Sequence, residues 1–196
     1  MSKDWIPPPR TALLLIDMQK DFVVGATAQA AVVQAKKLAE VARQAGVALV
    51  FVRLITRPGE ESEASRTFRR RQSQGRGDDG PLPCREGTEG ADWVGPRPGE
   101  GDYVVSKNGY SAFIGTRLEE SLRAMGRDTL LLAGLTTECC IAATAFDGFA
   151  RNFHVFIAAE AVAAEDPALH QAALRSLALN CAMPLPIADI LAAWNQ

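Results

Sequence analysis

The chain reads as short apolar runs alternating with longer amphipathic stretches. The first run, Thr11-Ala-Leu-Leu-Leu-Ile16, is followed by helical periodicity over 28–44 and then by Gly46-Val-Ala-Leu-Val-Phe-Val52. Strand, helix and strand in that order make a βαβ unit. The pattern resumes with Tyr103-Val-Val-Ser106, a helix over about 114–125, the run Thr129-Leu-Leu-Leu-Ala133 and a small-residue helix over about 138–151. It closes with His154-Val-Phe-Ile-Ala158, a helix over about 167–180 and a weak strand at 185–187. Residues 13–16 and 130–133 are continuously apolar rather than alternating, as strands buried on both faces are. The expectation is an α/β protein of three layers, a parallel sheet covered by helices on both sides.

Residues 57–100 interrupt this pattern. They are rich in Gly, Pro, Arg and Glu, and beyond a charged helix at about 60–71 they suggest no regular element. A long irregular stretch inside a compact chain serves as a functional cover or an ordered contact more often than as a plain connection. The segment reads as a lid or an oligomer-contact arm, with disorder of part of it as the other reading. Two motifs inside it are misleading. Gly75-Arg-Gly-Asp-Asp-Gly80 matches a dinucleotide fingerprint, but it neither follows a strand nor opens a helix. Arg69-Arg70-Arg71 reads as a solvated helix face, with an acidic partner as the alternative.

Length and composition narrow the function. At 196 residues and 47% apolar, the chain has material for one sizeable core, so a single domain over 1–196 is expected. A net charge of -2 provides no excess of cations for phosphates, which argues against nucleic acid as a partner. The first residues lack an apolar signal core, and the early apolar run is far below membrane-spanning length, so neither export nor a membrane is expected and the location reads as cytoplasmic. Cys84, Cys139, Cys140 and Cys181 form no CxxC pair, and with two histidines in the chain no zinc-ligand spacing exists. No metal or cofactor is called for.

In open parallel sheets ligands bind beyond the carboxyl ends of the strands, so polar residues just past each apolar run are the first candidates for chemistry. Asp17 follows the first run, where an ionised carboxylate is costly unless paired or used. Taken alone it also reads as a loop cap. Lys107 follows the third run, and alone reads as a solvated strand end. Cys140 lies past the fourth, in Gly134-Leu-Thr-Thr-Glu-Cys-Cys140-Ile. A free cysteine is ordinarily a small buried hydrophobe. Here Thr137 suits an N-cap and Glu138 a first turn, which puts Cys140 near the third helical position. A helix start and a nearby ammonium both favour a thiolate, and first-turn N–H groups can receive an oxyanion.

Together these segments resemble the isochorismatase-like cysteine hydrolases. The resemblance covers about residues 11–194 and rests on three motifs in order: Asp17-Met-Gln19-Lys-Asp-Phe22, then Lys107-Asn-Gly-Tyr110-Ser-Ala-Phe113-Ile-Gly-Thr-Arg-Leu118, then Gly134 to Ile141. It implies a six-stranded parallel sheet of Rossmann-like order 3-2-1-4-5-6 and an Asp17–Lys107–Cys140 triad. It also implies a cis peptide between Leu135 and Thr136, with the N–H groups of Thr136 and Cys140 forming an oxyanion hole. Phe22, Trp93, Tyr110 and Phe113 are the expected aromatic walls of a substrate pocket, with Trp93 available to a neighbouring subunit in a homodimer or homotetramer. Nicotinamidases of this group carry a metal-binding Asp-x-His after the second strand, where this chain reads Arg53-Leu54-Ile55-Thr56. The implied activity is therefore metal-independent cleavage of a C–N bond in a small linear amide, a ureide or carbamoyl compound, through a thioester with release of ammonia or an amine. An isochorismatase-type vinyl ether hydrolase, a nicotinamidase or maleamate-type amidase, and a binding module on the same fold are the alternatives.

Overall fold

The computed structural model describes residues 3–73 and 81–195. The motif at Gly75–Gly80 lies outside them. Six strands form one sheet: β1 Thr11–Ile16, β2 Ala48–Leu54, β3 Tyr103–Lys107, β4 Thr129–Leu135, β5 His154–Ala163 and β6 Met183–Leu185. Every neighbouring pair is parallel, and the order is β3-β2-β1-β4-β5-β6. β1 and β4 are central and buried along their whole length, which is why their sequences are apolar without alternation.

The side chains of β1 divide between two cores. Leu13 and Leu15 pack with Leu38 and Ala39 of α1 (Gly25–Gln44) and Ile190 and Trp194 of α6 (Ile187–Trp194). Ala12, Leu14 and Ile16 face the other way, toward α3 (Leu118–Ala124), α4 (Ala142–Ala150) and α5 (Pro167–Asn180). Burying one leucine side chain fully is worth roughly 1.5–3 kcal/mol, so this central strand anchors both layers.

Several boundaries differ from the expectation; β6, for one, runs Met183–Leu185 rather than 185–187. α6 was not foreseen: it follows Met183-Pro-Leu-Pro186, its N-terminal Ile187 N–H donates to Glu160 (2.8 Å), and Trp194 Nε1 donates to the Ile6 carbonyl (2.9 Å). β5 runs to Ala163 because the register with β4 shifts between Leu132 and Gly134, where β5 accommodates extra residues. α3 starts at Leu118, four residues late, because the Thr116 hydroxyl accepts from the Leu118 N–H and donates to the Ala112 carbonyl, holding a turn there. The charged helix is α2, Glu63–Gln72, capped by the Ser62 side chain.

Beyond α2, residues 81–94 are fastened to the sheet's carboxyl edge. Thr56 N–H donates to the Cys84 carbonyl (3.1 Å), Val94 N–H to Met18 (2.8 Å), and Asp21 Oδ2 accepts from the Cys84 N–H (2.7 Å). No helix among the described residues is long and apolar enough to cross a membrane.

Candidate active site

The carboxyl ends of β1, β3 and β4 converge. Asp17 is the first residue beyond β1, with φ at +52°, a left-handed conformation that aspartate tolerates better than most residues. Its N–H donates to the Val52 carbonyl (2.9 Å), and its side chain is sealed from solvent. Gly134 of β4 pairs with Ile16. A Cβ there would overlap the Ile16 carbonyl, and φ is +131°, so only glycine lets β4 approach β1 closely enough to bring the following loop to Asp17.

Lys107 ends β3 and is equally enclosed. Its Nζ lies 2.7 Å from Asp17 Oδ2, 2.8 Å from the Gly109 carbonyl and 3.4 Å from Cys140 Sγ. The three residues that sequence placed at separate strand ends are therefore in one contact group. Asp17 Oδ1 is buried and has no hydrogen-bond partner among the described residues.

Cys140 sits on a single π-helical turn, Thr137–Ile141, that runs directly into α4. The expected N-cap role of Thr137 does not occur. Thr136 occupies the cap position, and the Thr137 hydroxyl is instead paired with His170 Nδ1 of α5 at 2.9 Å. The N–H groups of Cys139 and Ile141 both reach the Thr136 carbonyl (3.2 Å each). Cys140 is the fourth residue of this turn rather than the third. The peptide between Leu135 and Thr136 is cis.

At Cys140 other groups act against the helix start and Lys107. The hydrogen bond with Cys139, burial and the Asp17 charge together push the Cys140 thiol up, against the pull of Lys107. Burial likewise raises Asp17, against the Lys107 charge. Burial works to lower Lys107, but the attraction of Asp17 and Cys140 outweighs it and leaves the ammonium favoured. Among the other thiols, burial and the charges of Asp17 and Asp21 push Cys84 to about 12, and burial raises Cys181. Cys139 is lowered by the hydrogen bond it receives from Cys140.

The four aromatic residues part company. Tyr110 is exposed, and its hydroxyl is raised first by partial burial and then by Cys139 and Cys140. Phe22 is half-buried against the cluster of Leu135, Ala28 and Ala163, of which Leu135 is one side of the cis peptide. Phe113 is instead a core residue, 6% exposed, packed on Phe153 with ring centroids 5.7 Å apart. Trp93 meets the buried Phe51 edge-on (5.8 Å, 83°) in the core under α1, so its ring is used in packing within its own chain.

Gln19 is a residue whose role the sequence did not disclose. Fully buried, its amide nitrogen donates to the carbonyls of Leu54 (2.8 Å) and Ala91 (3.0 Å), and its oxygen accepts from the Leu54 N–H (2.8 Å). It ties the Asp17 loop to the end of β2, beside Lys107, and to the segment before Trp93. The available signal was its place two residues past Asp17 in the first motif. A cleft of about 530 Å³ opens next to this point, between the end of β2, α2, residues 81–83 and the loop 108–110. Asp17, Lys107 and Cys140 do not line it; the Gly109 carbonyl that Lys107 contacts and Tyr110 do. No His, Cys, Asp and Glu cluster among the described residues could hold a metal ion.

A parallel sheet of this order, with a buried carboxylate, ammonium and thiol at its carboxyl edge, defines an α/β hydrolase with a cysteine at a helix start. A family model for the isochorismatase domain matches residues 11–189; the chain belongs to that family and is a hydrolase of it. It is 36% identical over 176 residues to a protein of Arabidopsis thaliana described as a probable inactive nicotinamidase, covering 83% of this chain and 85% of that one. Its fold is similar to a cysteine hydrolase from Pseudomonas syringae pv. phaseolicola 1448A, with a TM-score of 0.82 at 26% identity over 97% and 94% of the two chains. It is also similar to N-carbamoylsarcosine amidase from Thermoplasma acidophilum, with a TM-score of 0.72 at 30% identity over 91% and 96%.

Proposed function

We propose that this chain is a cysteine amidohydrolase that cleaves the C–N bond of a small linear ureide or carbamoyl compound. The observation that carries the reading is the placement of Lys107 Nζ between Asp17 Oδ2 and Cys140 Sγ, with Asp17 Oδ1 left without a partner in a buried site. That oxygen is the group available to take a proton. As Cys140 attacks the carbonyl, its proton passes to Asp17, and Lys107 balances the charge that develops on sulfur. The C–N bond breaks as Asp17 returns the proton to the departing nitrogen, leaving a thioester on Cys140, which for a ureide or carbamoyl compound is a thiocarbamate. Water, losing a proton to the same carboxylate, then hydrolyses the thioester. A buried carboxylate whose affinity for protons is raised suits both transfers.

With burial and the Asp17 charge holding the proton on sulfur, its transfer to Asp17 accompanies the attack. Backbone N–H groups of Thr136 and Cys140 at the head of the turn are the donors for the oxyanion. Likeness to an N-carbamoyl amidase supports the carbamoyl class, and Arg53-Leu54-Ile55-Thr56 at the end of β2 supplies none of the carboxylate and imidazole ligands of a metal-dependent amidase. The test is ammonia and amine release from biuret, ureidoacrylate, N-carbamoyl amino acids and nicotinamide. The reading expects turnover of ureide or carbamoyl compounds and none by Cys140→Ala. Full activity of Cys140→Ala, or release from nicotinamide alone, would overturn it.

A further inference from the structure

Two groups of its own turn compete for the Cys140 N–H. In an α-helical turn it would donate to the Thr136 carbonyl. With Thr137 as N-cap it would donate to the Thr137 hydroxyl, because a capping side chain accepts from the second or third helical residue, here Cys139 or Cys140. Neither bond to Cys140 forms among the described residues. The Thr136 carbonyl instead takes the N–H groups of Cys139 and Ile141 (3.2 Å each), the second by the longer step of a π turn. The Thr137 hydroxyl is held by His170 Nδ1 at 2.9 Å.

His170 comes from a fixed helix end. Its N–H donates to the Asp166 carbonyl (2.9 Å), and the Asp166 side chain accepts from the Ala168 and Leu169 N–H groups at the start of α5. Thr137 is fully buried, and a buried hydroxyl needs a partner. Without the imidazole, the partner that its own chain offers is an N–H of the turn it would cap. The N-cap role that sequence assigns to Thr137 is therefore the state that His170 prevents. In that state the hydroxyl would occupy the donor on which the oxyanion of the proposed reaction depends.

The geometry points to His170 as a positioning residue: by holding the Thr137 hydroxyl, it keeps the Cys140 N–H free to receive the oxyanion. The inference deepens the amidase reading and rests on it. An oxyanion develops in the transition state and not in the bound substrate, so losing this hold acts on kcat rather than on KM.

The experiment measures kcat and KM with biuret and with N-carbamoylglycine for wild-type protein, His170→Ala, His170→Asn and the double variant His170→Ala with Thr137→Val. His170→Ala should lower kcat about ten- to hundredfold, short of the full loss of an oxyanion donor, and leave KM within about threefold. His170→Asn keeps an amide able to pair with the hydroxyl and should stay within about threefold of wild type. Adding Thr137→Val to His170→Ala removes the competing hydroxyl and should raise kcat again by about fivefold or more, a coupling that a merely structural role of the pair would not produce. An unchanged kcat in His170→Ala, a fall carried by KM, or a double variant no faster than His170→Ala overturns the assignment and leaves the amidase reading in place. Absence of turnover by wild-type protein counts against the amidase reading instead, and crystal structures of wild-type and His170→Ala proteins then decide. A Thr137 hydroxyl within hydrogen-bond reach of the Cys140 N–H in the variant supports the hold by His170; a hydroxyl that stays away from Cys140 rejects it.

Discussion

Replacing Lys107 by Met keeps much of the side-chain volume and removes the charge that faces Asp17. Both side chains are fully enclosed, and Asp17 Oδ1 already lacks a partner, so the variant leaves a carboxylate with no nearby cation. Breaking a buried pair in this way costs about 3–5 kcal/mol at neutral pH. For a domain of this size each kcal/mol lowers Tm by about 2–4 °C, so a fall of roughly 6–20 °C is expected. The loss depends on pH in a definite direction. Burial raises the folded-state affinity of Asp17 for a proton, and removing Lys107 takes away the opposing influence. A raised folded value means that the variant regains stability as the pH falls toward the unfolded carboxylate value of about 4 and loses it as the pH rises through the folded value. Asp17→Asn combined with Lys107→Met removes both charges and should recover most of the loss. Urea unfolding followed by tryptophan fluorescence at pH 7.5 and pH 5 measures all three proteins. A Lys107→Met protein within about 1 kcal/mol of wild type at pH 7.5, set against that expected cost, would refute the buried pair.

Three further outcomes follow from the same geometry. Gln19→Ala strips the partners from the Leu54 N–H and from the Leu54 and Ala91 carbonyls; leaving buried groups unpaired costs about 1–3 kcal/mol each at most, so urea unfolding should show a loss of roughly 2–4 kcal/mol. His170→Ala removes the partner of the Thr137 hydroxyl and should cost about 0.5–1.5 kcal/mol in the same assay. Because burial lowers His170 in the folded protein, the stability it supports is present above the ordinary histidine value of about 6.5 and declines below it, and this decline should be absent in His170→Ala. In the proposed reaction Asp17 accepts the first proton, so kcat/KM should fall on the acid side with a midpoint above the ordinary aspartate value of about 3.9, measured as a pH–rate profile.

The sheet was legible because burial on both faces leaves an unmistakable mark: β1 and β4 are apolar at every position, and Asp17, Lys107 and Cys140 stand just past three apolar runs. Helix α5 was readable from Asp166-Pro167, since aspartate caps and proline starts a helix, and Asp166 indeed accepts from the Ala168 and Leu169 N–H groups. Other features depend on partners far along the chain. Phe113 and Trp93 lie near functional motifs, yet their rings were claimed by Phe153 and Phe51, contacts that spacing does not encode. The Thr137 hydroxyl found His170, thirty-three residues on, in place of its own helix. α6 was hidden by the prolines at 184 and 186 and by its shortness. The opposition to a thiolate at Cys140 could not be read from a helix start and a lysine alone, since Cys139, burial and Asp17 act against both.

The proposed reaction makes Cys140 the nucleophile. Rapid quenching of wild-type protein during turnover of a carbamoyl substrate, followed by peptide mass mapping, tests it most directly. An acyl adduct on Cys140 is expected, formed and lost at rates matching turnover and absent in Cys140→Ala. An adduct on Cys139, or undiminished turnover by Cys140→Ala with no adduct on any cysteine, would contradict it.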